Sequence, residues 1–176
     1  MEEDIEQLKY PIGRFREPKH GDAHQVANCI EVIRQFPEKL SAEVNALDPR
    51  ELGKRYRPDG WTIKQVVHHC ADSHMNSFIR FKLALTEDTP TIKPYEEGLW
   101  ATLPDTVDSP IGSSLKLLEG LHERWVVLLQ NLSGEALDRQ FKHPEKAELV
   151  SLKTNIAIYA WHCEHHLAHV RNAKAR

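Results

Sequence analysis

The stretch Tyr159-Ala-Trp-His-Cys-Glu-His-His-Leu-Ala-His169 is the part of the sequence from which both the fold and the site can be predicted. It holds four histidines within eight residues: His162, His165, His166 and His169. On a helix, His162 and His166 are i and i+4 neighbours on one face, a spacing that lets two imidazoles bind one metal ion. The H-E-x-x-H motif of metalloproteases needs Glu after the first His, where this sequence has Cys163. The stretch therefore predicts half of a metal site, and another part of the chain must supply a third ligand.

The composition and charge of the chain limit its fold and its partners. The 176 residues are 40% hydrophobic, which is enough for one compact domain with its own core. A formal net charge of −3 argues against a nucleic-acid-binding surface. No run approaches the roughly eighteen apolar residues of a membrane span, and the acidic start of the chain is unlike a signal sequence. Three scattered cysteines are typical of reduced thiols, so we expect a cytoplasmic protein.

Apolar residues recur at helical spacing in four segments, which predicts four helices. Pro37 lies inside the first segment, where it either kinks the helix or begins a shorter second one. The second segment is expected to end near Thr86, ahead of two prolines. The helices are expected to begin at the N-caps Asp22, Thr62 and Ser151 and, for the third helix, at Pro110.

The connectors between these helices are long. Residues 47–57 and 132–144 share the pattern Leu-x4-Leu-x3-aromatic, and each leads to a capped helix that carries metal-ligand candidates. This weak repeat predicts two similar halves. Residues 87–109 hold three prolines and little periodicity, so we expect a loop that covers part of the molecule.

Long connectors argue against helices joined up-down-up-down by tight hairpins. They leave room for crossovers or for a short strand pair, since Leu149-Val150 could pair with Arg55-Tyr56. Residues 1–21 combine prolines and glycines with a few apolar side chains, which predicts an irregular arm packed on the core. The predicted fold is therefore all-α, a four-helix bundle with long connectors that forms a single metal-binding domain over residues 22–176.

The third metal ligand should come from the second helix, which carries His68 and His69. At roughly 100° per residue, His69 borders the apolar stripe of this helix, and Arg80 continues its line. His68 points the other way, beside Lys64 and Asp72. His69 is therefore the inward candidate.

The fourth helix gives a parallel result. His162 and His166 lie at one edge of its apolar stripe, while His165 is rotated toward solvent and is predicted to be a bystander. A line of polar residues beside an apolar stripe is how metal sites in bundle cores are built. Side chains on these lines are candidate assistants in catalysis: Tyr159, Asn155, His169 and, on the second helix, Arg80.

A set of three neutral imidazoles suits Zn²⁺, and also Ni²⁺, Co²⁺, Cu²⁺ or Fe²⁺. Three protein ligands leave a position open for water or substrate, which is typical of a catalytic site. A closed shell with Cys163 or His169 as fourth ligand would instead indicate a structural metal. Single histidines on half-apolar faces are more often packed, hydrogen-bonded side chains, and this interpretation applies to His74, His122 and His143.

Three stretches of the chain resemble the DinB-like superfamily. Arg57-Pro-Asp-Gly-Trp-Thr-Ile-Lys-Gln-Val-Val-His-His-Cys-Ala-Asp-Ser-His-Met-Asn76 is similar to its second-helix signature. The stretch Tyr159–Val170 resembles its C-terminal H-x-x-x-H helix. The arm Tyr10-Pro-Ile-Gly-Arg-Phe15 is similar to that of the YfiT subgroup, whose members are described as metal-dependent hydrolases. The resemblance implies a four-helix bundle with a three-histidine site.

The resemblance also implies the ligands residue by residue. The first ligand of the family is the His eight positions after the Trp, which is His69 here and not His68, and the others match His162 and His166. In many relatives the third position after the last ligand is Gln, where this sequence has His169. The wider superfamily includes mycothiol-dependent isomerases and bacillithiol transferases, and YfiT-like members resemble the latter.

The predicted function is that of a metal-dependent hydrolase, in which one divalent ion activates water against a small-molecule substrate. Zinc is the first choice of ion, with nickel, cobalt or iron as alternatives. A second hypothesis is a bacillithiol S-transferase, in which the ion would hold the thiolate of this co-substrate. A third is a binding module whose metal only stabilises the fold. We expect a homodimer, with no nucleic-acid or membrane partner.

Overall fold

Four long helices form most of the fold. A computed structural model describes residues 5–17, 22–144 and 148–176, so parts of the predicted arm (1–4 and 18–21) lie outside the described residues. The long helices are α2 (Ala23–Val44), α4 (Ile63–Thr86), α7 (Gly112–Gln130) and α9 (Leu152–Lys174). The shorter elements are α1 (Ile5–Lys9), α3 (Pro49–Leu52), α5 (Glu97–Trp100), α6 (Pro104–Val107), α8 (Gly134–Leu137), β1 (Gln140–His143) and β2 (Glu148–Ser151).

The long helices pack as a bundle in which successive helices are not all neighbours. Helix α2 packs against α7 and α9, and α4 packs against the same two helices. The order around the bundle is therefore α2, α7, α4, α9, so that α2 faces α4 across one diagonal. The connections from α2 to α4 and from α7 to α9 must therefore run diagonally, which explains the length of these two connectors. The predicted all-α four-helix bundle is confirmed.

Three of the four long helices begin at the predicted capping residues. The Asp22 side chain accepts a hydrogen bond from the Gln25 amide (2.8 Å), and Thr62 and Gln65 form a reciprocal capping box. Ser151 accepts from the Thr154 amide at 3.0 Å. Helix α2 continues through Pro37 to Val44 as one helix, and α7 begins at Gly112, two residues after Pro110.

The strand pair differs from the predicted one. Strands β1 and β2 are antiparallel, and Val150 pairs with Phe141 instead of Tyr56. Arg55 instead bridges to Thr62, across a turn in which the Gly60 amide donates to the Arg57 carbonyl. Both pairings join segments that are close in sequence, and closing a short loop costs less conformational entropy than closing a long one.

The core lies between the four long helices and is filled by aromatic and branched side chains. Trp125 of α7, Phe36 of α2 and Phe81 of α4 are fully buried there. Residues 87–109 form α5, α6 and an extended segment, in which the Ile92 amide donates to the Lys142 carbonyl of β1. Within the described residues, no helix combines the length and apolar character needed to cross a bilayer.

Candidate metal centre

The three predicted metal ligands lie close together in the bundle. His69 projects from α4, and His162 and His166 project from the adjacent helix α9. One ligand atom of each ring lies within 4.8 Å of the others, and the Nε2 atoms of His69 and His162 are 3.3 Å apart. The described residues contain no fourth His, Cys, Asp or Glu in this group, so neither Cys163 nor His169 closes the shell.

The spacing and chemistry of these donors fit a divalent ion. Two nitrogens bound tetrahedrally at the 2.0–2.1 Å typical of zinc stand about 3.3 Å apart, which matches the distance between His69 and His162. Burial lowers the pKa of His69 to about 4 and the pKa values of His162 and His166 well below their ordinary value. The three rings are therefore neutral near pH 7, as metal ligation requires.

Two cavities meet at the metal centre, and both are lined by His69 and His162. The larger has a volume of about 820 Å³ and extends along α4 and α9 toward the β1–β2 hairpin. The smaller, of about 360 Å³, lies on the side of the N-terminal arm and is also lined by His166. A small molecule therefore has space beside the predicted ligands from two directions.

The other predicted site residues line these cavities. Arg80, Asn155 and Tyr159 line the larger one, and His169 lines the smaller one. Asn155 donates a hydrogen bond from Nδ2 to the Ser77 hydroxyl at 3.0 Å. The structure thus brings all seven predicted site residues around one centre, and their roles as ligands and assistants stay predictions.

The Tyr159 hydroxyl is held by Ser73. It donates to the Ser73 carbonyl at 3.0 Å and lies 3.1 Å from the Ser73 hydroxyl, which is itself 3.4 Å from Nε2 of His162. Burial raises the pKa of Tyr159, so that the phenol stays protonated. Because the phenol proton is used in this contact, Tyr159 orients Ser73, and the serine hydroxyl is the group placed beside the predicted ligand.

Comparison with known proteins decides the family. The sequence matches the DinB superfamily over residues 33–170, most of the chain. The chain belongs to the DinB superfamily. Proteins of Bacillus cereus and Bacillus anthracis, each named "Putative metal-dependent hydrolase", are 48% and 47% identical to it over 169 residues, covering 96% of each chain. The resemblance found in the sequence is thereby confirmed.

Two solved structures share the architecture. YfiT from Bacillus subtilis, described as a probable metal-dependent hydrolase with an unusual four-helix bundle topology, matches with a TM-score of 0.94 and 42% identity over 97% of both chains. A mycothiol-dependent maleylpyruvate isomerase matches with a TM-score of 0.65 and 17% identity, covering 82% of this chain and 60% of its own. The second likeness supports the DinB fold alone. The identity of the ion, bacillithiol, the homodimer and the cytoplasmic location stay predictions.

Two histidines of this DinB chain lie in surroundings that differ from those expected. His165 was predicted to face solvent, but it is buried because Tyr10 of the arm covers it and Trp161 stacks on it at 4.3 Å. His68 points away from the metal centre as predicted, yet it is also buried and bonds the Ser114 hydroxyl of α7 at 2.8 Å. Helical rotation predicts the direction in which each ring points. Whether the ring is buried depends on other segments that pack against it.

Three residues around the centre were not predicted from the sequence. Trp61 packs against the His69 ring with centroids 4.6 Å apart, and Tyr95 lines the larger cavity. Among the described residues, Glu97 at the start of α5 is the only acidic residue that lines both cavities. The only sequence signal for Tyr95 and Glu97 was the long proline-containing loop, which was expected to cover something but had no periodicity to show what.

Proposed function

We propose that this DinB-superfamily protein is a metal-dependent hydrolase that acts on a small molecule. The convergence of three neutral imidazoles at the junction of two cavities carries this proposal. Three protein ligands with an accessible side are typical of a catalytic site. The names of the curated relatives support the same activity.

Zinc is the ion that we propose for the site. Three imidazoles are a common catalytic zinc set, and the described residues add no carboxylate or thiolate that would favour a harder or softer ion. When bound, such an ion would lower the pKa of water and polarise a substrate carbonyl. His69, His162 and His166 would hold it.

The surrounding side chains would bind the substrate and move protons. Arg80 lines the larger cavity and forms no ion pair with any described residue, so its guanidinium can bind an anionic or carbonyl group of the substrate. The Ser73 hydroxyl, oriented by Tyr159, can hydrogen-bond the reacting group beside His162. Glu97 lines both cavities and can accept a proton as general base.

A thiol S-transferase is the second candidate, and the presence of two cavities favours it. A transferase must accommodate a thiol and an electrophile at once, and the two cavities share His69, His162 and Glu97. Bacillithiol is the thiol that we propose for this version. A hydrolase needs space for one organic substrate and water.

A single comparison separates these functions. The metal-free protein and the protein reloaded with zinc, nickel, cobalt or iron are assayed against ester and amide substrates, and against an electrophile with bacillithiol, glutathione or cysteine. We expect metal-dependent hydrolysis without any thiol. Transfer only with bacillithiol would replace the hydrolase by the transferase. Absence of any turnover, with metal removal only lowering the melting temperature, would favour the binding module.

His69→Ala and His68→Ala are the matched variants for this assay. Both remove a buried imidazole from α4, but only His69 faces the centre. We expect turnover to be lost in the first variant and retained in the second.

A further inference from the structure

A row of histidines leads from the metal centre across the bundle. Nδ1 of His162 lies 3.0 Å from Nε2 of His74, and Nδ1 of His74 lies 2.7 Å from Nε2 of His122. Nδ1 of His122 in turn lies 2.7 Å from the main-chain carbonyl oxygen of Ile33 in α2. The row therefore joins a predicted ligand on α9 to the backbone of another helix.

The carbonyl at its far end gives this row a direction. A carbonyl oxygen only accepts, so Nδ1 of His122 must carry the proton. Because a neutral imidazole has one N–H and one lone pair, Nε2 of His122 accepts from Nδ1–H of His74. Nε2 of His74 is then unprotonated and accepts from Nδ1–H of His162. The proton of His162 therefore lies on Nδ1, and its Nε2 carries a lone pair. Nε2 is the atom that faces His69, 3.3 Å away.

A second, shorter row gives the same result for another ligand. Nε2 of His169 lies 3.2 Å from the Lys9 carbonyl oxygen, and its Nδ1 lies 3.4 Å from Nδ1 of His166. His169 therefore donates to Lys9 from Nε2 and accepts from His166 at Nδ1. This leaves Nε2 of His166 unprotonated.

Both carbonyls are available because of their positions in the chain. In a regular helix the Ile33 carbonyl would accept from the amide of residue 37, but Pro37 has no N–H. Lys9 is the last residue of α1, where terminal carbonyls have no helical donor. The two rows thus end at acceptors that the backbone itself cannot satisfy.

We propose that His74, His122 and His169 are positioning residues, which hold His162 and His166 as Nδ1–H tautomers and so leave their Nε2 lone pairs free to bind a metal. The inference rests on the metal site of the proposed function, and not on the reaction that the site performs. Outer hydrogen-bond partners of ligating histidines fix ring orientation and tautomer, and their loss costs about 10- to 100-fold in metal affinity.

The tautomers can be measured in the metal-free protein. Long-range ¹H–¹⁵N correlation NMR of histidine-labelled protein distinguishes an Nδ1–H ring from an Nε2–H ring. We expect Nδ1–H for His162, His166, His74 and His122, and Nε2–H for His169. An Nε2–H ring at His162 or His166 would overturn the proposal, whether or not the protein hydrolyses any substrate.

Paired variants of His122 test the longer row. His122→Gln keeps an amide donor for Ile33 and an oxygen acceptor for His74, whereas His122→Phe fills the space beside Phe36 with neither. We expect the Phe variant to bind zinc about 10- to 100-fold more weakly, by competition with a chromophoric chelator, and the Gln variant to restore most of the affinity. His68→Gln changes a buried histidine outside both rows and should bind zinc like the wild type.

The matching pair for the shorter row is His169→Gln and His169→Leu. We expect the Leu variant to bind zinc about 10- to 100-fold more weakly and the Gln variant to restore most of the affinity. Zinc affinities and ligand tautomers that stay at wild-type values in the Phe and Leu variants would contradict the proposal. If either of these variants fails to fold, the tautomers of the wild-type protein decide.

Discussion

Acidification from about pH 7 to about pH 5 is expected to destabilise the metal-free protein through its buried histidines. His122 gives the clearest case, because it is 2% exposed and burial lowers its pKa to about 4. In the unfolded chain the pKa of a histidine is about 6.5. Below that pH the unfolded chain binds a proton that the folded protein excludes, so the free energy of unfolding falls as the pH falls toward 4.

The magnitude follows from the two pKa values. The difference between about 6.5 and about 4 corresponds to about 3 kcal/mol in full, of which about 2 kcal/mol is lost between pH 7 and pH 5. Burial also lowers the pKa values of His69 and His169 to about 4. These rings add to the effect, although not in full, because some of them interact. Burial raises the pKa of Asp72 to about 6, so this carboxyl takes up a proton in the folded protein and offsets part of the loss. Against a typical total of about 5–15 kcal/mol, the change is large.

Urea unfolding of chelator-treated protein at intervals between pH 7 and pH 5 measures this change. Uptake of more than one proton on unfolding gives a slope above about 1.4 kcal/mol per pH unit. His122→Phe should lower the slope by about 1 kcal/mol per pH unit, whereas His24→Gln, at an exposed position, should leave it unchanged. An equal free energy of unfolding at pH 7 and pH 5 would refute the reasoning, because it would mean that the buried rings titrate as they do in the unfolded chain.

Four further outcomes are expected from substitutions around the metal centre. Arg80→Ala should raise KM about tenfold or more for an anionic substrate, and Arg80→Lys should recover part of the loss, which steady-state kinetics would show. Glu97→Gln should lower kcat about 10²- to 10⁴-fold while leaving the metal content unchanged. Tyr159→Phe should cost about 1–2 kcal/mol in urea unfolding and reduce turnover, because Ser73 loses the phenol that orients it. Elemental analysis should find no bound metal in the alanine variants of the predicted ligands His69, His162 and His166. The alanine variants of His68 and His165 should keep their full metal content.

The helices and the ligand set could be predicted because they depend on local rules. The capping residues Asp22, Thr62 and Ser151 each bond an amide within their own first turn, so nothing distant in sequence is needed to identify them. The choice of His69 over His68 likewise followed from helical rotation, which the regular geometry of α4 preserves over its 24 residues.

What could not be predicted depends on contacts between distant segments. His165 is buried because Tyr10 packs on it, about 150 residues away in sequence, and no periodicity within α9 carries that information. Glu97 reaches the centre from a four-residue helix in an irregular connector. The predicted pairing of Val150 with Tyr56 is wrong for a related reason, because the strand propensity of a short segment does not identify its partner.

Pro37 shows how a local feature acquires its meaning from the rest of the fold. In the sequence it marks a weak point of the first helix, and the helix does continue through it. The carbonyl that Pro37 leaves without a donor is Ile33, and His122 uses it. His74 and His122 are indeed packed, hydrogen-bonded side chains, as expected for histidines taken singly. A hydrogen bond between two imidazoles has no direction of its own, because either ring can donate. The direction is fixed only by an acceptor at the end of the row, which here is the Ile33 carbonyl. Because Pro37 has no amide to bond this carbonyl, Pro37 indirectly determines which nitrogen of His162 is free to bind a metal.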